Sequence, residues 1–426
     1  MSLKLQHSAE RRKRMSIHGL AKGFSNARQD GRASARKTVV FVCVMLALAL
    51  TFSQALAGNG PGVTDDSILL GSYQPMTGKE STYFRMGKGA DTWYSHVNEQ
   101  GGINGRKIIF KMEDDSYNPS RTKVLVKQFI ERDKVFAIAD PLGSAPTAAV
   151  IDYIVKKKVP LVGAGTGAEK NVTYPSKYVF PLYPSYYMEG QQLVRFAAEE
   201  LGAKTVSLLY QNDPSGKSHL AGIKSVLDKY GVKLVAVEPY EKDELDVSAQ
   251  VIKMKSANPD VHLCSCAPEH AARFFTEREK LGWKVPVEVV FFGQSPKVIE
   301  LAGKEAVEGA YFTTIFRKPD SPDPQMRQFV ELLKKYYPNE EPDAIHMWGY
   351  AGAQVITEAF RRMGRDNITR DRFVEALESI KHWKGSLIPD VTINKGTAKD
   401  HVLIRNLSWL EVKDGNWLVY TPGWMK

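Results

Sequence analysis

The stretch from Val97 to Asp115 constrains the fold more than any other part of the chain. A helical pattern ends at Gly101-Gly102, where left-handed backbone is readily reached only by glycine. Asn104-Gly105 then makes a tight turn. Apolar residues alternate at Ile108, Phe110 and Met112, so the chain leaves as a strand, and it stops at Asp114-Asp115. Helix, glycine turn, strand and paired acids make half of an α/β unit. That geometry predicts an α/β fold and, by itself, no particular function.

The first 57 residues read as a secretion signal. Basic residues cluster at Arg11 to Arg14 and Arg36-Lys37, Thr38 to Phe52 is uncharged and mostly apolar, and Ala55-Leu56-Ala57 fits a small-x-small cleavage site. An uncleaved anchor is the alternative for a run of this length. The segment also carries most of the charge. It has a net +8 of the chain's +10, so the basic balance says little about nucleic acid. The 369 residues that remain suffice for two domains with cores of their own.

Beyond it, strands and helices alternate. Ser67 to Tyr73 is a buried strand leading into the loop Gln74 to Gly78, which contains Thr77, and then a helix to about Glu99. Val135 to Ala139 and Val159 to Val162 are strands, each followed by a small-residue loop: Asp140 to Thr147, with Ser144, and Gly163 to Gly167, with Ala164 and Thr166. In open α/β sheets ligands sit outside the carboxyl ends of strands, so these loops are candidate walls of a site. One of them opens a helix, whose N-terminus favours an anion. A carboxylate is a natural guest there, each charge-assisted hydrogen bond contributing about 1.5–3 kcal/mol. Ordinary loop chemistry selects the same residues. The alternation resumes with strands at Thr205 to Tyr210, Lys233 to Glu238, Val261 to Ser265, Val287 to Phe292 and Tyr311 to Ile315. The loop Gln211 to Gly216 precedes a helix from Lys217, and a hairpin turns at Asp414-Gly415.

The run Asn98 to Arg106 (N-x-x-G-G-I-N-G-R), about twenty residues after Pro75-Met76-Thr77-Gly78, resembles the leucine/isoleucine/valine-binding type of periplasmic binding protein, the receptors of ABC importers. The resemblance spans about Ser67 to Tyr420. It implies two Rossmann-like lobes with parallel central sheets joined by a multi-strand hinge: residues 65–183 with 317–398, and 184–316 with 399–426. It places Ser144, Ala164 and Thr166 on a ligand carboxylate and the first crossing between lobes near Pro181 to Ser185. Tyr183, Tyr186 and Tyr187 are then cleft aromatics, or packing residues at the junction. Thr77, Asp213, Ser215, Cys266, Ser295 and Tyr350, with Trp348, complete the candidate site.

The departures from the family bear on the ligand. The loop that carries a glutamate for the ligand ammonium in branched-chain amino-acid binders is Gly293-Gln294-Ser295 here, and the aromatic of the Asp-x-x-Tyr-Gly loop is missing from Asp213 to Gly216. A buried ammonium needs a partner, so either Asp213 supplies it or the ligand lacks one, and the second reading is favoured. An amino acid, an amide or an aromatic acid fits. His262, Cys264 and Cys266 alternate but match no zinc spacing, and a disulfide two residues apart on a strand would be strained. His219 and His270 read as surface residues. Nucleophile-elbow, P-loop and zincin motifs are absent. The expected protein is a monomeric, periplasmic solute receptor. It needs no cofactor or metal, does no catalysis and binds no nucleic acid; its partners are a small-molecule ligand and an ABC permease. A ligand sensor for a signalling receptor and a secreted α/β enzyme are the alternatives.

Overall fold

The computed structural model describes residues 58–316, 321–388, 391–403 and 407–425. The signal segment at 1–57 and the second crossing between lobes, expected at residue 317, lie outside them.

Strands β1 (Ser67–Gln74), β2 (Lys107–Asp114), β3 (Ala137–Ala139), β4 (Leu161–Val162) and β5 (Val179–Phe180) form a parallel sheet in the order β2-β1-β3-β4-β5. Strands β6 (Thr205–Gln211), β7 (Lys233–Tyr240), β8 (Val261–Ser265), β9 (Val287–Val289), β10 (Tyr311–Thr314), β11 (Ser408–Lys413) and β12 (Asn416–Tyr420) form a second, in the order β12-β11-β10-β9-β8-β6-β7. Its β6 to β10 are parallel and repeat the order of the first sheet, and the hairpin β11-β12 is added antiparallel to β10. The fold is therefore α/β with two lobes. In each, the chain reverses direction across the sheet beside its first strand, β1 or β6, and that is where a crevice opens at the carboxyl ends.

The Gly101–Arg106 turn has a structural task. Gly102, at φ +80°, donates to the Val97 carbonyl at 2.9 Å. Asn104 Nδ2 donates to the carbonyls of Phe360 and Gly364, both at 2.9 Å, and Arg106 Nη1 to that of Arg365 at 2.6 Å. The turn thus ties down the end of the long helix Ala344–Met363. That helix lies directly on the helix Arg85–Glu99: a Cβ on Gly89 would sit 1.9 Å from the His346 oxygen, and one on Gly349 1.9 Å from the Met86 oxygen. In the second lobe Gly222 touches the Tyr187 carbonyl in the same way, joining helices Tyr186–Glu199 and Pro214–Tyr230.

Local differences from expectation have local causes. The last turn of the expected strand Val287 to Phe292 is instead a 3-10 turn, because Phe291 N–H donates to Glu189 Oε1 at 2.8 Å rather than to a neighbouring strand. The helix expected from Lys217 starts at Pro214. Asp213 caps it and proline takes the first helical position, where no N–H is needed. His219 and His270 are buried, not surface residues: each has a hydrogen-bond partner, Glu189 and Ser265 for the first, the Glu244 carbonyl for the second. Cys264 and Cys266 are free thiols in the core of the second lobe. His262 stacks on Phe274 at 4.2 Å and shares a hydrogen bond with Ser207, and burial pulls its imidazole down to about 3.

Candidate functional site

Loops leaving the carboxyl ends of both sheets meet around a cavity. The first lobe contributes Tyr83 from the loop after β1, Tyr117 from that after β2, Leu142, Gly143 and Ser144 after β3, and Gly165 after β4. Trp348 joins them from the helix Ala344–Met363. The second lobe contributes Tyr186, Gln211, Ser215 and Phe292.

The floor is the pair of small-residue loops. They bridge at Leu142 and Gly165, and Gly165 N–H donates to the Pro141 carbonyl at 2.7 Å. Gly143 opens the helix Ser144–Lys156 at φ +119°, and a Cβ there would strike the Tyr117 ring at 2.8 Å. The hydroxyls of Ser144 and Thr166 lie 2.8 Å apart, and Asn171 Nδ2 donates to the Ser144 carbonyl at 3.2 Å and to Thr166 Oγ1 at 3.3 Å. These contacts fix two hydroxyls beside a helix N-terminus, where an anionic group is favoured.

The opposite wall is organised by Asp213 and Glu189. Asp213 Oδ1 accepts from the N–H groups of Ser215 and Gly216 and from the Ser215 hydroxyl. Its Oδ2 accepts from Gln211 Nε2 at 2.9 Å and, across the lobes, from the Tyr117 hydroxyl at 3.2 Å. Tyr83 makes a second bond across the lobes, to the Phe292 carbonyl at 3.2 Å. Glu189 holds His219 at 2.9 Å, and the His219 ring stacks under Tyr186 at 4.7 Å. Burial alone would raise the Glu189 carboxyl, but the hydrogen bonds from His219, Thr313 and Phe291 N–H keep it below its usual range.

Of the residues singled out in the sequence, Ser144, Ser215 and Trp348 line the cavity, as does Tyr186. Thr166 and Asp213 each bond a lining residue, Ser144 and Tyr117 respectively. Tyr183 is buried behind the wall, stacked on Phe291 at 4.8 Å and 5.3 Å from Trp348. The others do not line it. Thr77 donates to Asp114 Oδ2 at 2.6 Å, and Ala164 packs in the first-lobe core. Tyr187 is half-buried outside the cavity. Cys266 Sγ points at the Leu209 carbonyl, 3.7 Å away. Ser295 caps the helix Pro296–Ala302 and reaches Asp343 at 3.4 Å. Tyr350, two residues past Trp348 and so on another helix face, packs on Trp93 and Phe329. The sequence reading missed Tyr83, Tyr117, Gln211 and Phe292, although the rule that ligands sit beyond strand carboxyl ends covers the loops of all four.

Residues 67–416 match the family model described as periplasmic binding protein. The Leu/Ile/Val-binding protein homolog 7 of Brucella suis is 24% identical, over 74% of this chain and 82% of its own length. A fatty acid ABC transporter substrate-binding protein from Thermomonospora curvata superposes with a TM-score of 0.76 at 23% identity, covering 85% of this chain and 94% of that one. An R. palustris solute-binding protein solved with benzoate gives 0.74 at 18%, covering 83% and 95%.

Proposed function

Since the chain belongs to the periplasmic binding protein family, we propose that it is a solute receptor of the periplasm. It hands a small polar or carboxylate solute to an ABC importer, and makes and breaks no covalent bond. One observation carries this reading: the cavity is walled by both lobes and bridged by hydrogen bonds between them. An enclosure lined by aromatic rings and a few polar groups suits an amino acid, an amide or an aromatic acid. The relatives named for branched-chain amino acids and the neighbour solved with benzoate fall within that range.

The solute enters between the lobes, rests its polar end on Ser144 and Thr166, and bonds to both lobes only when they close. Closure needs that differential affinity: about 5.5 kcal/mol swings a population from 1:99 to 99:1. The closed form then docks, as a monomer, on a permease in the inner membrane. Residues 65–183 with 317–398 make one moving body and 184–316 with 399–426 the other, and residues 1–57 are removed on export.

A thermal-shift screen across amino acids, amides and aromatic acids tests the class. Calorimetry on Ser144→Ala and Thr166→Ala then tests the site. Both substitutions weaken binding while the fold stays intact; unchanged affinity in both refutes the assignment.

A further inference from the structure

Asp140 follows β3 and opens the loop that carries Ser144, and its backbone stands at φ +46°. That region suits glycine; aspartate enters it at a cost, and such strain persists only where the surroundings hold it. The backbone here is well held. Its N–H donates to the Val162 carbonyl at 2.8 Å, and its carbonyl accepts from Gln74 Nε2 at 2.7 Å and from Ser72 Oγ at 3.2 Å. A glycine would make every one of those bonds without strain, so the side chain needs a reason of its own.

That side chain is fully buried. Oδ2 accepts from the Tyr94 hydroxyl at 3.0 Å, and Oδ1 has no hydrogen-bond partner. Oδ1 lies instead in a notch between two glycines: a Cβ on Gly163 would come within 2.2 Å of it, and one on Gly352 within 1.9 Å. No cation offsets the burial, which raises the carboxyl well above its ordinary range and favours its uncharged form.

Both glycines belong to elements that shape the cavity. Gly163 opens the loop that carries Gly165 and Thr166, and Gly352 lies one turn past Trp348 on the same face of the helix Ala344–Met363. Asp140 itself opens the loop that carries Leu142, Gly143 and Ser144, all of which line the cavity, as do Gly165 and Trp348. One carboxyl therefore stands where three lining elements converge, tied through Tyr94 to a fourth, the helix Arg85–Glu99.

Resting on the solute-binding reading above, we propose that Asp140 is a positioning residue of the binding site: wedged between Gly163 and Gly352, it sets the spacing of the two floor loops and the Trp348 helix. It does not line the cavity and acts through Ser144, Gly165 and Trp348.

The test compares two variants with the wild type. Asp140→Asn keeps the wedge and, like aspartate, tolerates left-handed backbone; Asp140→Gly removes the wedge and the strain together. In Asp140→Gly, hydrogen exchange in residues 141–147 and 163–167 is expected to quicken at least tenfold while the melting temperature does not fall; Asp140→Asn should exchange as the wild type does. Calorimetry uses L-leucine and benzoate as probes. A probe that the wild type binds should bind at least tenfold more weakly to Asp140→Gly and equally to Asp140→Asn. A merely structural role would lower melting temperature and affinity together, so that result in Asp140→Gly overturns the proposal. Wild-type exchange and affinity in Asp140→Gly, or an asparagine variant as impaired as the glycine one, overturns it too. If the wild type binds neither probe, the fault lies with the solute reading, and the exchange result alone decides the positioning role.

Discussion

Glu80→Gln is expected to stabilise the ligand-free chain by an amount that grows with pH. Burial and the facing acids raise the Glu80 carboxyl from its ordinary 4.5 to about 8 in the folded chain. Between those values the folded chain keeps a proton that the unfolded chain has released, so wild-type stability falls as pH rises. Each pH unit in that window costs about 1.4 kcal/mol. The penalty is therefore on the order of 3 kcal/mol at pH 7 and about 5 kcal/mol above pH 8, where it levels off. Glutamine cannot ionise and fills nearly the same space, so its advantage is small near pH 5 and largest above pH 8. Urea denaturation of both proteins at pH 5, 7 and 8.5 reads the difference directly. A gap that is the same at all three values, or a glutamine variant weaker than wild type at pH 8.5, refutes the reasoning.

Other substitutions probe the remaining joints. Gly349→Ala forces a Cβ to within 1.9 Å of the Met86 carbonyl, so the two first-lobe helices must part; a loss of several kcal/mol is expected in chemical denaturation. Glu189→Ala strips partners from His219, Thr313 and the Phe291 N–H inside the second lobe, which should cost about 3–5 kcal/mol in the same assay. Tyr117→Phe removes the hydroxyl that bonds Asp213 across the lobes. Calorimetry with whichever solute the screen identifies should show about a three- to tenfold weaker complex, with the melting temperature of the free protein little changed.

The lobes and their sheets were legible because they rest on local chemistry. Paired glycines reach positive φ at little cost, and Gly101, Gly102 and Gly105 all take it in the turn that Asn104-Gly105 predicts. The helix start at Pro214 is equally local: aspartate before proline is a strong capping signal, and it places the start three residues before the expected Lys217. The site was only half legible. Ser144 and Ser215 line the cavity because they sit in loops that the strand order already marks. Tyr350 and Cys266 carry suitable side chains, yet a helix phase turns one away and the second-lobe core encloses the other.

Alternating strands and helices, the glycine turn and the small-residue loops belong to the sequence by itself, since each follows from backbone preferences within a few residues. The bond from the Thr82 hydroxyl to Glu269, 187 positions away, belongs to tertiary structure. So does the choice of Tyr83, Tyr117 and Phe292 as cavity wall. Nothing within either segment records which surface it will face, because that is decided only when two separately built sheets close on each other and exclude water between them.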